Sequence, residues 1–176
     1  ELCGEDMGIS AFLEDVLIPQ LMLIYPEWWA KKDEMIVLFG DPAGSQRAQT
    51  DEKSCFDEVK AAKLKIRPAK SNAWLARRGA VAWFLSKLSG GMPMFLIDPC
   101  CKILRKGFNG GYKYRRIQVV GEDRFTDEPM KNSYSHPHDA LQYVAMESGG
   151  IQASKPKEAP RKMGAQIRAK DRGTGY

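Results

Sequence analysis

The sequence lacks the cysteine and histidine patterns that are typical of disulfide scaffolds and zinc sites. Its four cysteines, at positions 3, 55, 100 and 101, contain no C-x-x-C pair, and the adjacent pair at 100 and 101 is poorly placed to form a disulfide. Its two histidines, His136 and His138, are two positions apart, a spacing that does not place both on one helix face. These absences argue against a zinc site and against a disulfide scaffold.

Long hydrophobic runs are also missing. Apolar stretches such as those at 36–40 and 81–85 are far shorter than the roughly 18 residues of a membrane span, and no signal peptide opens the chain. We therefore expect a soluble, intracellular protein that does not contact a membrane. With 43% apolar and 28% charged residues, a single globular domain is the expectation for the folded part.

Composition divides the chain into three segments. A helical rhythm over 9–25 predicts a leading helix or linker at 1–30, and the start at Glu1 suggests a piece of a longer polypeptide. Residues 31–148 are predicted to form the folded domain. Residues 149–176 carry seven basic and two acidic side chains with few large apolar ones, so we expect a disordered tail. Such a tail either binds polyanions or is simply a solvated terminus.

The apolar runs predict an α/β fold. A continuous apolar run at 35–40 predicts a buried strand that stops at Asp41, and a second run at 94–97 predicts another strand that stops at Asp98. A strong helical pattern at 72–88 lies between them, so we expect parallel strands joined by a right-handed crossover. A final helix at 135–146 carries Asp139 in its first turn. The prediction is a mixed sheet flanked by helices.

Three aspartates are the candidate catalytic and metal-binding residues. Neighbouring parallel strands about 4.8 Å apart would bring Asp41 and Asp98 to one sheet edge, and Asp139 shares a helix face with Tyr143. Converging carboxylates are suited to two Mg²⁺ or Mn²⁺ ions. Without metal they would repel one another, and at least one would tend to hold a proton. Each acid also has an ordinary interpretation, as a turn former before proline or as a helix N-terminal charge.

Five segments, in order along the chain, resemble one family. They are Phe-Gly-Asp-Pro-Ala-Gly at 39–44 with Arg47, Asn72 with Arg77, Leu-Ile-Asp-Pro-Cys at 96–100, Gly-Gly-Tyr-Lys-Tyr at 110–114, and Lys-Asn-Ser-Tyr-Ser-His-Pro-His-Asp-Ala-Leu-Gln-Tyr at 131–143. Together they resemble the C-terminal nuclease domain of the large terminase subunit of tailed bacteriophages. The last segment is the most specific of the five.

This resemblance implies an RNase H-like fold and a two-metal endonuclease that cuts concatemeric double-stranded DNA during genome packaging. It implies Asp41, Asp98 and Asp139 as the catalytic metal ligands for Mg²⁺ or Mn²⁺. It also implies Arg47, Arg77 and Lys131 as phosphate contacts, although these cations could equally pair with the acidic cluster. The implied partners are a small terminase subunit and the portal protein, and the implied location is the host cytoplasm, with the isolated domain monomeric.

One departure from the family concerns ATP. The family's full subunit carries an N-terminal ATPase, but this chain contains no G-x-x-x-x-G-K-[ST] motif, so we expect it not to hydrolyse ATP and expect 1–30 to lead from that domain. Two other functions remain open. One is a non-catalytic module that binds or docks DNA, and the other is a different RNase H-like enzyme, such as a recombinase or resolvase, with branched substrates.

Overall fold

The leading segment is helical, as its rhythm predicts. The computed structural model describes residues 1–46, 53–117, 121 and 124–149, so the predicted basic tail lies outside the described residues except for Gly149. The helical path changes from π to α geometry just before Pro19, which has no N–H to donate to the preceding turn. Its elements are α1 (Ile9–Ala11), a π-helical segment (Phe12–Leu17), α2 (Ile18–Ile24), α3 (Pro26–Ala30) and α4 (Lys32–Met35).

The leading segment is packed against the domain. Leu13 is only 1% exposed and forms one buried cluster with Val59 and Leu64. Burial of a leucine side chain contributes on the order of 2 kcal/mol. Residues 1–30 therefore share a hydrophobic core with the segment that follows.

A β-α-β unit follows the leading segment. Strand β1 (Val37–Gly40) lies parallel to β2 (Lys65–Pro68), with Gly40 paired to Pro68, and α5 (Cys55–Ala61) joins them. The connection begins with a 3₁₀ turn (Pro42–Ser45) directly after Asp41. Ser54 caps α5 through a reciprocal capping box with Asp57. The predicted strand is confirmed at Val37–Gly40, and its carboxyl end leads into Asp41. Its residues are half-buried rather than buried, and Met35 belongs to α4.

The predicted strand at 94–97 is wrong. The chain turns back at Gly90 and Gly91, both with positive φ, and pairs locally as β3 (Leu88–Ser89) with β4 (Met92–Pro93). Residues 94–97 have no strand assignment, and Leu96 is 71% exposed. The run that follows this hairpin alternates between exposed and half-buried residues instead of forming a buried strand. The neighbour of β1 in the described residues is instead β2.

Two helices predicted by the sequence pack against each other. Helix α6 (Trp74–Leu85) and helix α8 (Ser135–Glu147) bury Ala80, Val81 and Met146 in a shared cluster. Small alanine side chains on both helices let their backbones approach closely. The chain between them forms α7 (Lys102–Lys106), a π-helical segment (Gly107–Gly111), and the antiparallel strands β5 (Tyr114–Ile117) and β6 (Arg124–Pro129).

The described residues thus combine helices with small two-stranded sheets, which is compatible with the α/β class. Among them, no helix has both the length and the apolar character required to cross a bilayer.

The contact between Gly107 and His138 provides a test of this packing. Gly107 has helical φ and ψ values of −60° and −48°, but a Cβ there would collide with the buried imidazole of His138. We expect Gly107→Ala to reduce the free energy of unfolding by about 1–3 kcal/mol through overpacking. In a His138→Ala background the same change should be neutral or stabilising, because alanine is the better helix former. Urea denaturation of the four variants measures this, and equal costs in both backgrounds would contradict the packing.

Candidate functional site

Asp41 lies at the carboxyl end of β1, where the strand gives way to the 3₁₀ turn. Its Oδ1 accepts a hydrogen bond of 2.9 Å from the backbone N–H of Ala43, which fixes the carboxylate at the start of that turn. Its Oδ2 remains directed towards Asn72 and Tyr143. One carboxylate oxygen therefore holds the backbone, and the other faces side chains from distant parts of the chain.

Asn72 follows the carboxyl end of β2, the parallel neighbour of β1. The hydroxyl oxygen of Tyr143 lies 2.8 Å from Asp41 Oδ2 and 2.8 Å from Asn72 Oδ1, and Asn72 Nδ2 donates weakly to Asp41 Oδ2 at 3.4 Å. A tyrosine hydroxyl has one proton, so it donates to only one of the two oxygens at a time. Burial, with the hydrogen bond to Asp41, raises the pKa of Tyr143, which keeps this proton in place.

Asp139 is bound by a buried arginine from the neighbouring helix. Arg77 Nη1 donates to Asp139 Oδ1 at 2.8 Å, and the two side chains are 9% and 15% exposed. Arg77 Nε also donates to the Asn72 carbonyl at 3.2 Å, and the guanidinium lies over the ring of Tyr143 at 5.3 Å. Arg77 is thus the residue that connects the Asp139 carboxylate to the Asn72 and Tyr143 side of the site.

The second oxygen of Asp139 is bound by a lysine that, unlike Arg77, is mostly exposed. Lys131 Nζ donates to Asp139 Oδ2 at 2.7 Å, but its side chain is 72% exposed. The Tyr112 hydroxyl lies 3.5 Å from Asp139 Oδ1, and burial raises the pKa of Tyr112. We call this group the aspartate cluster, and it comprises Asp41, Asn72, Arg77, Lys131, Asp139 and Tyr143.

Asp98 does not join the aspartate cluster. It is exposed, and its Oδ1 accepts a hydrogen bond of 2.8 Å from the Cys100 backbone. Hydrogen bonds from the Cys100 side chain and backbone lower the pKa of Asp98, and the same contact raises the pKa of Cys100 to about 11. The structure therefore places Asp98 as the cap of a local turn, the ordinary interpretation of Asp before Pro.

The remaining predicted residues have separate positions. Arg47 lies outside the described residues. His136 is exposed, whereas His138 is buried and its Nε2–H points to the Leu104 carbonyl at 3.2 Å. Burial lowers the pKa of His138, which favours the neutral imidazole at pH 7. His138 therefore faces α7, although it neighbours Asp139 in sequence.

Sequence reasoning missed the roles of Asn72 and Tyr143. Tyr143 is four residues after Asp139, and this spacing puts both on one face of α8. Asn72 comes four residues after the end of β2, so it occupies the sheet edge beside Asp41. Helical spacing predicted that Tyr143 and Asp139 share a helix face, but not that Tyr143 contacts Asp41. The position of Asn72 beside Asp41 depends on which strand lies next to β1.

The chemistry of the aspartate cluster suits a hard cation. Its ligand-type atoms are carboxylate, amide and hydroxyl oxygens, the donors that Mg²⁺ and Mn²⁺ prefer, and none is a thiolate or an imidazole. On one side, oxygens of Asp41, Asn72 and Tyr143 lie within hydrogen-bonding distance of one another. They share only the Tyr143 hydroxyl proton and one weak donor, the Asn72 amide. On the other side, the Lys131 ammonium already occupies an oxygen of Asp139 as a cation. Asp41 and Asp139 thus fit the ligand role.

Comparison with known proteins found no matching family model, curated protein or solved structure. Within the described ranges, no three side chains of the His, Cys, Asp or Glu type are grouped closely enough to hold a metal ion. The interpretation of the site therefore depends on the two carboxylates and the polar groups that connect them.

The coupling between Arg77 and Asp139 can be measured directly. Arg77→Met should lower the free energy of unfolding by about 2–4 kcal/mol, because it leaves a largely buried carboxylate without its buried counter-ion. In an Asp139→Asn background the same change should cost at least about 1 kcal/mol less, because no charge is left unpaired. Urea denaturation of the two single variants and the double variant gives the coupling energy.

Arg78→Met is the matched control for this cycle. Arg78 is exposed and donates to the Tyr114 hydroxyl, so its loss should cost less than about 1 kcal/mol and should not couple to Asp139. Strictly additive effects of Arg77→Met and Asp139→Asn would show that this ion pair does not hold the two helices together.

Proposed function

We propose that this chain is a divalent-metal-dependent endonuclease domain with an RNase H-like fold, from the large terminase subunit of a tailed bacteriophage. Its substrate is double-stranded DNA, cut from concatemers during packaging. The observation that carries the proposal is the connection of Asp41 to Asp139, 98 positions apart, through Tyr143 and Arg77. The family resemblance of the segments containing these residues supports the same function.

Asp41 and Asp139 are the residues that would hold the metal ions. Two Mg²⁺ or Mn²⁺ ions would supply an activated water and would stabilise the leaving oxygen of the phosphodiester. Tyr143 and Asn72 orient the Asp41 carboxylate, and Arg77 orients the Asp139 carboxylate. Asp98 stays a sequence-based prediction for a further ligand, since its side chain lies outside the aspartate cluster.

The cations of the site suit a phosphate substrate. Lys131 is mostly exposed beside Asp139, so it can reach a DNA backbone at the rim of the site, whereas Arg77 is buried and serves mainly to hold the carboxylate. Arg47 stays a prediction as a phosphate contact. A module that only bound DNA would gain nothing from two carboxylates that neutralise its cations, which favours the enzyme over the binding module.

Partner proteins would supply what this domain lacks. We propose, from the resemblance, that a small terminase subunit and the portal select and position the DNA and that an ATPase domain drives its movement. The domain itself would then act in the host cytoplasm as a monomer. Its cutting would have little sequence preference, because no recognition helix or zinc finger was identified in the sequence.

Cleavage of supercoiled plasmid DNA by the 176-residue chain tests the proposal. We expect nicking and linearisation with Mg²⁺ or Mn²⁺, and no cutting with EDTA. Asp41→Asn and Asp139→Asn should each reduce the rate by about 100-fold or more, because bound metal supplies several kcal/mol of charge stabilisation. Asp33→Asn, at a 77% exposed side chain, is the matched control and should retain full activity.

The same assay separates the alternatives. Circular dichroism establishes that each variant is folded, and Asp98→Asn shows whether Asp98 contributes to cutting. Duplex binding without cleavage under every metal condition would reject the nuclease and favour the binding module. A strong preference for four-way junctions over linear duplex would instead favour a resolvase-type enzyme. Full activity in Asp41→Asn and Asp139→Asn would reject the aspartate cluster as the active site.

A further inference from the structure

The two cations on Asp139 differ in how firmly they are held. Arg77 is 9% exposed, donates to Asp139 Oδ1 and the Asn72 carbonyl, and lies over the Tyr143 ring. Lys131 is 72% exposed and donates to Asp139 Oδ2. Arg77 is therefore fixed by several contacts on different elements, whereas Lys131 extends from solvent to one carboxylate oxygen.

This difference decides which cation a metal ion would replace. Displacing Arg77 would leave a buried guanidinium without its carboxylate, which is strongly unfavourable. An ion pair with an exposed lysine contributes little, and the released lysine is solvated at once. Asp139 Oδ2 is thus the oxygen that a divalent ion can take at little cost.

We propose that Lys131 is an exchangeable counter-ion of Asp139. It occupies Oδ2 while the site is free of metal, and it moves to a DNA phosphate when a divalent ion binds that oxygen. This inference rests on the proposed function, because it takes Asp139 as a metal ligand. It goes further by making Lys131 the link between metal loading and DNA binding.

Two consequences follow from this exchange. Lys131 competes with the metal ion for one carboxylate oxygen, so removal of its charge strengthens metal binding in the absence of DNA. A bound metal ion frees one ammonium group at the rim of the site, so metal strengthens DNA binding. Because linkage is reciprocal, DNA strengthens metal binding by the same factor. An ordinary phosphate contact would produce the loss of DNA affinity without the gain in metal affinity.

The structure provides a matched control for the Lys131→Met variant. Lys113 is exposed, and its carbonyl accepts the N–H of Met130, the residue before Lys131. Lys113→Met therefore removes the same charge from a neighbouring stretch of chain but leaves the Lys131–Asp139 ion pair intact. A general change in surface potential affects both variants alike, whereas release of the Asp139 oxygen affects only Lys131→Met.

The first measurement is Mn²⁺ binding without DNA, followed by electron paramagnetic resonance. Lys131→Met should bind Mn²⁺ about two- to fivefold more tightly than the wild type, the range expected for loss of an exposed ion-pair competitor. Lys113→Met should change the affinity much less. The exchange is overturned if Lys131→Met binds Mn²⁺ no more tightly than the wild type does. The metal site itself is kept if, in the same experiment, the wild type binds Mn²⁺ and the variants Asp41→Asn and Asp139→Asn do not.

The second measurement is duplex binding by fluorescence anisotropy at several salt concentrations, with EDTA or with Ca²⁺ as a probe metal. In the wild type, Ca²⁺ should strengthen binding and steepen the salt dependence by about one phosphate contact. Lys131→Met should lose this metal-dependent step, and Lys113→Met should keep it. A step that persists in Lys131→Met overturns the exchange. If the wild type does not bind Mn²⁺, or if Asp41→Asn and Asp139→Asn bind it as well as the wild type does, the proposed function is overturned. The exchange is then overturned with it.

Discussion

The buried ion pair between Arg77 and Asp139 connects the two helices on which the site is built. Its partners come from α6 and α8, whose apolar faces share a core cluster, so the charged contact lies at the end of a packed interface. Such a pair adds little net stability when it forms, but loss of one partner leaves a costly buried charge. The pair therefore restricts the relative positions of α6 and α8, and with them the position of Tyr143 against Asp41.

The parallel pairing of β1 with β2 determines what meets Asp41. The carboxyl ends of neighbouring parallel strands open at one edge of a sheet, and side chains that follow those strands come together there. Asp41 follows β1 and Asn72 follows β2, so an amide becomes the neighbour of the carboxylate. Side chains that follow neighbouring parallel strands thus meet at one sheet edge in this chain, as the rule predicts. The neighbour of β1 is β2, however, and not the strand that the sequence suggested at 94–97.

Local patterns predicted the elements well and the pairing poorly. The strand before Asp41 and the helices that carry Arg77 and Asp139 have strong periodicity and clear ends, and the structure confirms them. The apolar run before Asp98 has the same local character, but the Gly90 and Gly91 turn directs the chain into a hairpin. Which strand pairs with which depends on contacts between distant residues, and a single sequence contains little information about these.

The charges of the two carboxylates are balanced by cationic side chains of the same site. Repulsion between them would favour a bound proton, but Arg77 and Lys131 each donate to an oxygen of Asp139, and two acids and two bases are formally neutral together. Within the part of the chain that the structure describes, Asp41 forms no ion pair and depends instead on hydrogen bonds from Ala43 and Tyr143. The negative charge of the site is consequently less neutralised around Asp41 than around Asp139, where Arg77 and Lys131 both donate to the carboxylate.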